Sequence, residues 1–273
     1  MLEALRLDGK TAVVTGAGRG LGRSMALALA QAGATVVCAA RTLQEIEDTV
    51  AAIAANGGSA LAVQTDVTKS GQVDALVGRC LDKFGRLDIM LANAGAGTSH
   101  APFWEYPDDE FDRAIALNLN SAFYCGRAAA RAMIDCKRGG VIINVSSMTA
   151  LRGNSIFAYP TAKGGVIAMT KSQAVMLGPH GIRVNVIIPG LIPQKPPRDP
   201  RESSQREDAA RRMPVRRLGE CWEMGPLAVY LASDASSYVT GESFIIDGGV
   251  LAGSLGPVDY CPTHDPFAGP PST

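Results

Sequence analysis

The sequence predicts an α/β fold in which helices flank a doubly wound parallel sheet of about seven strands. Short runs rich in Val, Ile and Leu recur along the first 250 residues, and they are continuous rather than alternating, as in strands buried on both faces. Stretches of helical composition lie between these runs, so strand and helix alternate almost throughout. No repeat or linker divides residues 1–250, which we therefore take as one domain.

The predicted elements follow in chain order. Strands are predicted at 11–16, 35–40, 60–66, 87–93, 141–147, 183–190 and 243–249. Helices are predicted at 20–32, 42–55, 69–84, 108–137 and 155–177. Two regions break the alternation. The Pro-rich, charged stretch 191–217 is predicted to be a lid or a surface loop, and the Gly/Pro-rich tail 251–273 is expected to be irregular.

Composition favours a small-molecule partner. The 26 basic and 26 acidic side chains balance, so nothing indicates binding to nucleic acid or to a membrane surface. The six cysteines and three histidines are scattered without metal-ligand spacing, and we predict no metal site. The N-terminus lacks a signal-peptide pattern and no apolar run is long enough to span a bilayer, so we expect a cytoplasmic protein.

A glycine-rich turn follows the first predicted strand and opens the first helix. Gly16, Gly18, Gly20 and Gly22 allow close approach of the backbone to a ligand, and the helix N-terminus suits a pyrophosphate. The spacing G-x-x-x-G-x-G differs from the common G-x-G-x-x-G dinucleotide motif. A glycine-rich turn by itself could also be only a tight strand–helix connection.

The end of the second strand indicates which dinucleotide binds. A carboxylate there would favour NAD through the ribose 2′-hydroxyl, whereas a basic residue would accept the 2′-phosphate of NADP. The sequence has Arg41 at this point, and Arg19 lies inside the glycine turn, so two guanidiniums could chelate the phosphate. Alternatively, both are ordinary surface arginines. We expect NADP as the preferred cofactor, with NAD as the alternative.

Tyr159 and Lys163 are four residues apart and would share one face of a helix. Pro160 is tolerated only in a first helical turn, so the helix should begin just before it, with Ser155 as a candidate N-cap. We expect the ammonium and the helix N-terminus to lower the pKa of the phenol from about 10. Considered alone, the pair is more typical of a plain amphipathic helix face.

Further motifs accompany this pair. They are TGAGRGLG (15–22), DV (66–67), NAG (93–95), LNLNSAF (117–123), INVSS (143–147), YPTAK (159–163), RVNVIIPG (183–190) and GESFIIDGG (241–249). In this order and spacing, residues from about 5 to 250 resemble the short-chain dehydrogenase/reductase family. The resemblance implies a Rossmann-type fold and hydride transfer between a nicotinamide cofactor and a carbonyl or alcohol.

The resemblance also implies residue roles. Tyr159 would be the general acid/base, Lys163 would lower its pKa and bond the nicotinamide ribose, Ser147 would orient the substrate oxygen, and Asn118 would hold a relay water. Cofactor contacts are implied for Gly16, Arg19, Gly20, Leu21, Gly22, Arg41, Asp66, Val67, Asn93, Ala94, Gly95, Tyr159, Lys163, Pro189, Gly190 and Ile192.

The sequence departs from the family pattern at two places. The usual spacing to the tyrosine would select Ser146, but counting along the strand selects Ser147, which we prefer because strand register is fixed whereas loops absorb deletions. Gln194 stands where relatives often carry a threonine that bonds the nicotinamide carboxamide.

The predicted function is therefore that of an NADP(H)-dependent alcohol dehydrogenase or carbonyl reductase. The alternative is a catalytically silent protein that senses NADP on the same fold. The sequence does not identify the substrate, for which we consider a 3-oxoacyl thioester, a sugar acid or polyol, and a steroid or other ketone. Relatives pair through the helices that correspond to 108–137 and 155–177, so we expect a homotetramer or homodimer.

Overall fold

The computed structural model describes residues 2–98, 101–153 and 155–253. Across these residues a seven-stranded sheet has the order β3-β2-β1-β4-β5-β6-β7, and all neighbouring strands are parallel. The strands are β1 (Thr11–Thr15), β2 (Thr35–Ala40), β3 (Ala60–Gln64), β4 (Ile89–Ala92), β5 (Gly140–Val145), β6 (Ile182–Pro189) and β7 (Ser243–Ile246). The predicted fold class is confirmed.

Helices cover both faces of this sheet. They are α1 (Gly20–Gln31), α2 (Leu43–Ala55), α3 (Ser70–Phe84), α4 (Asp108–Ile115), α5 (Ser121–Asp135), α6 (Ala158–Leu177), α7 (Pro200–Arg212), α8 (Met224–Ala232) and α9 (Val250–Gly253). Val13 and Val37 face the core beneath α3, α5 and α6, whereas Val14 and Val36 face α1, α2 and α8. This burial on both faces explains why the strands are continuously apolar in sequence.

Strand order reverses at β1, which lies between β2 and β4. In doubly wound sheets, ligands bind at the carboxyl ends of the strands beside such a switch point. Several strands end earlier than predicted: β3 stops at Gln64, β4 at Ala92 and β5 at Val145. The residues that follow have left the strands and belong to the loops at this edge of the sheet.

The predicted helix at 108–137 is interrupted. A π-helical turn at Ala116–Asn120 joins α4 to α5, and the N–H of Ser121 donates to the carbonyl of Ala116, five residues earlier. Such π-turns occur frequently at functional sites. This one contains Asn118, one of the predicted site residues.

The expected N-cap of α6 is wrong. The helix begins at Ala158, so Tyr159 and Pro160 lie in its first turn as predicted, but the N-cap residue is Phe157 rather than Ser155. The Phe157 ring lies 4.9 Å from the ring of Phe103, measured between centroids, and it also packs against Tyr106 and Phe111. Aromatic packing therefore accompanies the start of α6 in place of a side-chain cap.

The stretch 191–217 is not only a loop, because it contains α7. Asp199 is the N-cap and accepts a 2.8 Å hydrogen bond from the N–H of Glu202, while Pro200 occupies the first helical position. That cap–proline pair is a helix-start pattern that the sequence analysis missed. No residue of α7 is buried, and its charged residues form ion pairs within the segment, including Glu202 with Arg198 and Arg206.

The predicted irregular tail begins differently from expectation. Residues 251–253 belong to α9, and the rest of the tail, 254–273, lies outside the described residues. Within the part of the chain that the structure describes, no helix has the length and apolar character needed to cross a lipid bilayer.

Candidate active site

A cavity of about 390 Å³ opens at the carboxyl ends of the central strands, and most of the predicted site residues line it. These are Gly16, Arg19, Leu21, Arg41, Val67, Asn93, Ala94, Gly95, Ser147, Tyr159, Lys163, Pro189, Gly190 and Ile192. They come from the ends of β1 to β6 or the loops that follow these strands, and from the first turns of α1 and α6. Residues distant in sequence thus meet in one cleft.

Four predicted residues do not line the cavity. Gly20 and Gly22 lie within the first turn of α1. Asp66 directs its carboxylate to Thr68, whose backbone N–H and hydroxyl donate to it at 3.0 and 2.8 Å. Asn118 is 1% exposed and lies behind the cleft.

The glycine turn leaves room for a ligand above the start of α1. Gly16 has a φ of +67°, in the left-handed region. At Gly22 a Cβ would lie 2.1 Å from the carbonyl oxygen of Gly16, so no side chain fits between strand and helix. The N-cap residue Arg19 makes no side-chain cap bond, which leaves the first N–H groups of α1 available. These features fit the diphosphate of a dinucleotide.

Lys163 lines the part of the cleft that lies at the start of α6. Its side chain is 3% exposed, and Nζ donates a 2.8 Å hydrogen bond to the carbonyl of Val145 at the end of β5. Nζ lies 5.8 Å from the centroid of the Tyr159 ring. The predicted i,i+4 pair is therefore one contiguous group at the N-terminus of α6.

The two candidate serines have different surroundings. The hydroxyl of Ser146 is buried and donates a 2.8 Å hydrogen bond to the carbonyl of Lys163, inside the protein. Ser146 and Ser147 both line the cavity, and the Ser147 hydroxyl accepts from the N–H of Thr149 at 3.3 Å and from the Thr149 hydroxyl at 2.9 Å. The Ser146 hydroxyl is thus used to tie the end of β5 to α6, whereas the Ser147 hydroxyl is not bound to α6.

Asn118 lies close to Lys163, on the other side of Gly95. Its Oδ1 accepts a 3.0 Å hydrogen bond from the N–H of Ala96, and its Nδ2 donates to the carbonyl of Ala114 at 3.1 Å. A Cβ on Gly95 would lie 2.7 Å from Asn118 Oδ1 and 3.1 Å from Lys163 Nζ. The absence of a side chain at Gly95 therefore lets the π-turn approach the lysine.

The protonation behaviour of the pair differs from expectation. Burial lowers the pKa of Lys163 from 10.5 to about 8. Burial also raises the pKa of Tyr159, and the hydrogen bond with Ser147 only partly opposes this rise. The expected lowering of the phenol pKa is wrong for the structure described, because desolvation of the phenolate outweighs the favourable contacts.

The lid contributes to the same cleft. Ile192, Gln194 and Lys195 all line the cavity. The amide of Gln194 lies against the glycine turn, since a Cβ on Gly20 would be 2.0 Å from Gln194 Oε1. In this structure Gln194 therefore lies over the glycine-turn end of the cleft.

Comparisons with known proteins agree with this geometry. A family described as Enoyl-(Acyl carrier protein) reductase matches residues 16–251. The chain is 38% identical to an L-rhamnose 1-dehydrogenase (NAD(P)(+)) of Sphingomonas sp., over 89% of this chain and 97% of that protein. It is also 38% identical to a 3-oxoacyl-[acyl-carrier-protein] reductase of Synechocystis sp., over 90% and 98% of the two chains.

A solved structure supports the same assignment. The crystal structure of a short-chain type dehydrogenase/reductase from Mycobacterium marinum superimposes with a TM-score of 0.86 at 38% identity, covering 91% of this chain and 98% of that one. The chain belongs to the short-chain dehydrogenase/reductase family. It is an oxidoreductase for substrates of the alcohol or carbonyl type, and members of its family use NAD(P)(H).

Proposed function

We propose that this protein is an NADP(H)-dependent oxidoreductase that interconverts a carbonyl and a secondary alcohol, with Tyr159 as the general acid/base. The observation that carries the proposal is that Ser147 and Tyr159 line one cleft together with the buried ammonium of Lys163. A phenol held beside a hydroxyl can exchange a proton with an oxygen bound between them.

Each residue has a role in this chemistry. When bound, the nicotinamide exchanges a hydride with the carbon that bears the reacting oxygen. Tyr159 gives a proton to that oxygen during reduction and removes it during oxidation. Ser147 orients the same oxygen, Lys163 stabilises the phenolate form of the tyrosine, and Asn118 supports a water from which the site is reprotonated.

The preference for NADP over NAD rests on Arg19 and Arg41, which both line the adenosine end of the cavity. Two guanidiniums would bond the 2′-phosphate and compensate its charge. The backbone of Arg41 is held by Gln64, which donates a 2.8 Å hydrogen bond to its carbonyl. Because this contact fixes the backbone of Arg41, we expect its side chain to extend toward the cofactor from a fixed position.

A turnover screen tests the proposal. NADPH and NADH would be compared over 3-oxoacyl thioesters, sugar acids, polyols and steroids, because the relatives act on sugars and acyl carriers. Turnover of a carbonyl with NADPH supports the proposal, and a strong preference for NADH contradicts the argument from the two arginines. Tight NADPH binding without turnover of any substrate would favour the sensor hypothesis instead.

The two serines provide a matched pair of variants. We expect Ser147→Ala to lower kcat by about a hundredfold, because the reacting oxygen loses its orienting hydroxyl. Ser146→Ala should instead lower the free energy of unfolding by about 1 kcal/mol, because its buried hydrogen bond to Lys163 is lost. Kinetics and urea unfolding of both variants check this assignment, and a larger kcat loss in Ser146→Ala would reverse it.

We further propose that the chain assembles as a homotetramer or homodimer through α5 and α6. Both helices expose large apolar side chains: Phe123 is 44%, Val175 78% and Met176 72% exposed. Large exposed apolar side chains on both helices are consistent with burial against a second copy. Val175→Glu should lower the molar mass found by light scattering, whereas Leu2→Glu, at an exposed apolar position outside these helices, should not. An unchanged mass in Val175→Glu would contradict this interface.

A further inference from the structure

Glu45 is a carboxylate at the adenosine end of the cavity that the sequence analysis did not single out. It lines the cavity together with Gly18, Arg19, Arg41 and Thr42. Its Oε1 lies 4.0 Å from Nε of Arg19. Its Oε2 would be 3.0 Å from a Cβ placed on Gly18, so the carboxylate lies directly against the glycine turn. A negative charge is therefore built into the part of the cleft that holds the two arginines.

The position of Glu45 is fixed by the packing of α2. Ile46, the next residue, is fully buried, and Thr49 donates a 2.9 Å hydrogen bond from Oγ1 to the carbonyl of Ala17 in the glycine turn. These contacts dock the N-terminal half of α2 onto the loop that opens α1. Glu45 is thus held on a rigid element beside the cofactor-binding turn.

This carboxylate affects the two cofactors in opposite ways. A 2′-phosphate dianion between the arginines would be repelled by Glu45 and would compete with it for Arg19. The free 2′-hydroxyl of NAD carries no charge and can donate a hydrogen bond to a carboxylate. We propose that Glu45 is a specificity-determining residue that weakens the preference for NADP and keeps NAD competitive. The inference rests on the proposed dinucleotide-dependent function.

The ion pair itself adds little to the stability of the fold. Its 4.0 Å separation is long, and the side chains of Arg19 and Glu45 are 57% and 42% exposed. Exposed pairs of this kind contribute little to folding. Removal of the carboxylate therefore leaves the fold intact and frees Arg19 for the phosphate. Glu45→Gln keeps the size of the side chain while removing its charge.

Calorimetric titration with cofactor fragments tests the proposal without catalysis. Wild type, Glu45→Gln and the control Glu47→Gln would be titrated with adenosine 2′,5′-bisphosphate, which carries the 2′-phosphate, and with 5′-AMP, which lacks it. Glu47 is an exposed carboxylate on the same helix that does not line the cavity. In Glu45→Gln we expect affinity for the bisphosphate to rise roughly five- to tenfold relative to AMP, and this gain to shrink at high salt.

The outcomes separate this inference from the proposed function. An unchanged affinity ratio in Glu45→Gln, with both fragments bound by wild type, overturns the role of Glu45 alone. An equal change in Glu47→Gln overturns it as well, because the effect would then be one of net charge. If wild type binds only AMP and Glu45→Gln binds both fragments, the proposed role of Glu45 is supported and the NADP preference of the wild type is contradicted. Failure of wild type to bind either fragment overturns both proposals.

Discussion

Replacement of Tyr159 by phenylalanine is expected to reduce turnover by about two to four orders of magnitude, the range attributed to a positioned general acid or base. The variant removes one oxygen from a mostly buried ring and keeps its packing at the start of α6. Because the phenol is assigned to proton transfer, affinity for NADPH should change little. Steady-state kinetics and cofactor titration of the same preparation measure both quantities.

Tyr238→Phe provides the matched control, because the Tyr238 side chain is fully exposed and lies outside the cavity. It should retain wild-type turnover. Retention of most of the activity by Tyr159→Phe would contradict the assignment of the general acid/base. Loss of NADPH binding in parallel with turnover would show that the variant acts on cofactor binding instead.

Lys163→Met is expected to change the pH dependence of stability as well as to impair turnover. Burial lowers the pKa of Lys163 to about 8, against 10.5 for an unperturbed lysine. Between these values the unfolded chain binds the proton more tightly than the folded one, so stability of the wild type rises with pH. The penalty for burying the ammonium is fully present below about pH 8 and is absent above about pH 10.5.

The predicted size of this change in the free energy of unfolding follows from the two pKa values. Their separation corresponds to about 3 kcal/mol. The free energy of unfolding of wild type minus that of Lys163→Met should therefore rise by roughly this amount between about pH 8 and pH 10.5. Subtracting the variant removes contributions from the other groups that titrate there. Urea unfolding across this range provides the measurement.

Lys171→Met is the control, since Lys171 is exposed on the same helix. It removes an exposed ammonium from α6 and controls for the loss of a lysine side chain from this helix. If the difference in free energy of unfolding between wild type and Lys163→Met did not change with pH, the ammonium of Lys163 would be solvated in the folded protein. That result would also remove the reason for treating Lys163 as a buried charge beneath Tyr159.

Much of the site could be predicted because its parts are local patterns. The glycine turn, the Tyr159–Lys163 pair and the first-turn position of Pro160 each depend on spacing over a few residues, which strand and helix geometry convert directly into position. The Asp199–Pro200 helix start was equally readable but was missed, because the surrounding prolines and charges suggested a loop. Ser147 lies at the phenol, and its catalytic role stays a prediction.

Other features depend on packing between distant segments. The π-turn that carries Asn118 approaches Lys163 only because Gly95, in the loop after β4, leaves space between them. The pKa of Tyr159 moves opposite to expectation because the sequence shows a neighbouring ammonium but not the degree of burial. Glu45 reaches Gly18 only through the docking of α2, which no spacing along the chain reveals.

The sequence by itself determined the parallel α/β fold, the glycine turn and the Tyr159–Lys163 helix face, because hydrophobic pattern and short-range spacing specify strands, turns and helices. The tertiary structure decided which serine hydroxyl is tied to α6, how burial shifts the two pKa values and which carboxylate lies beside Arg19. These properties arise from desolvation and from contacts between segments far apart in the chain, which are set only when the helices pack onto the sheet.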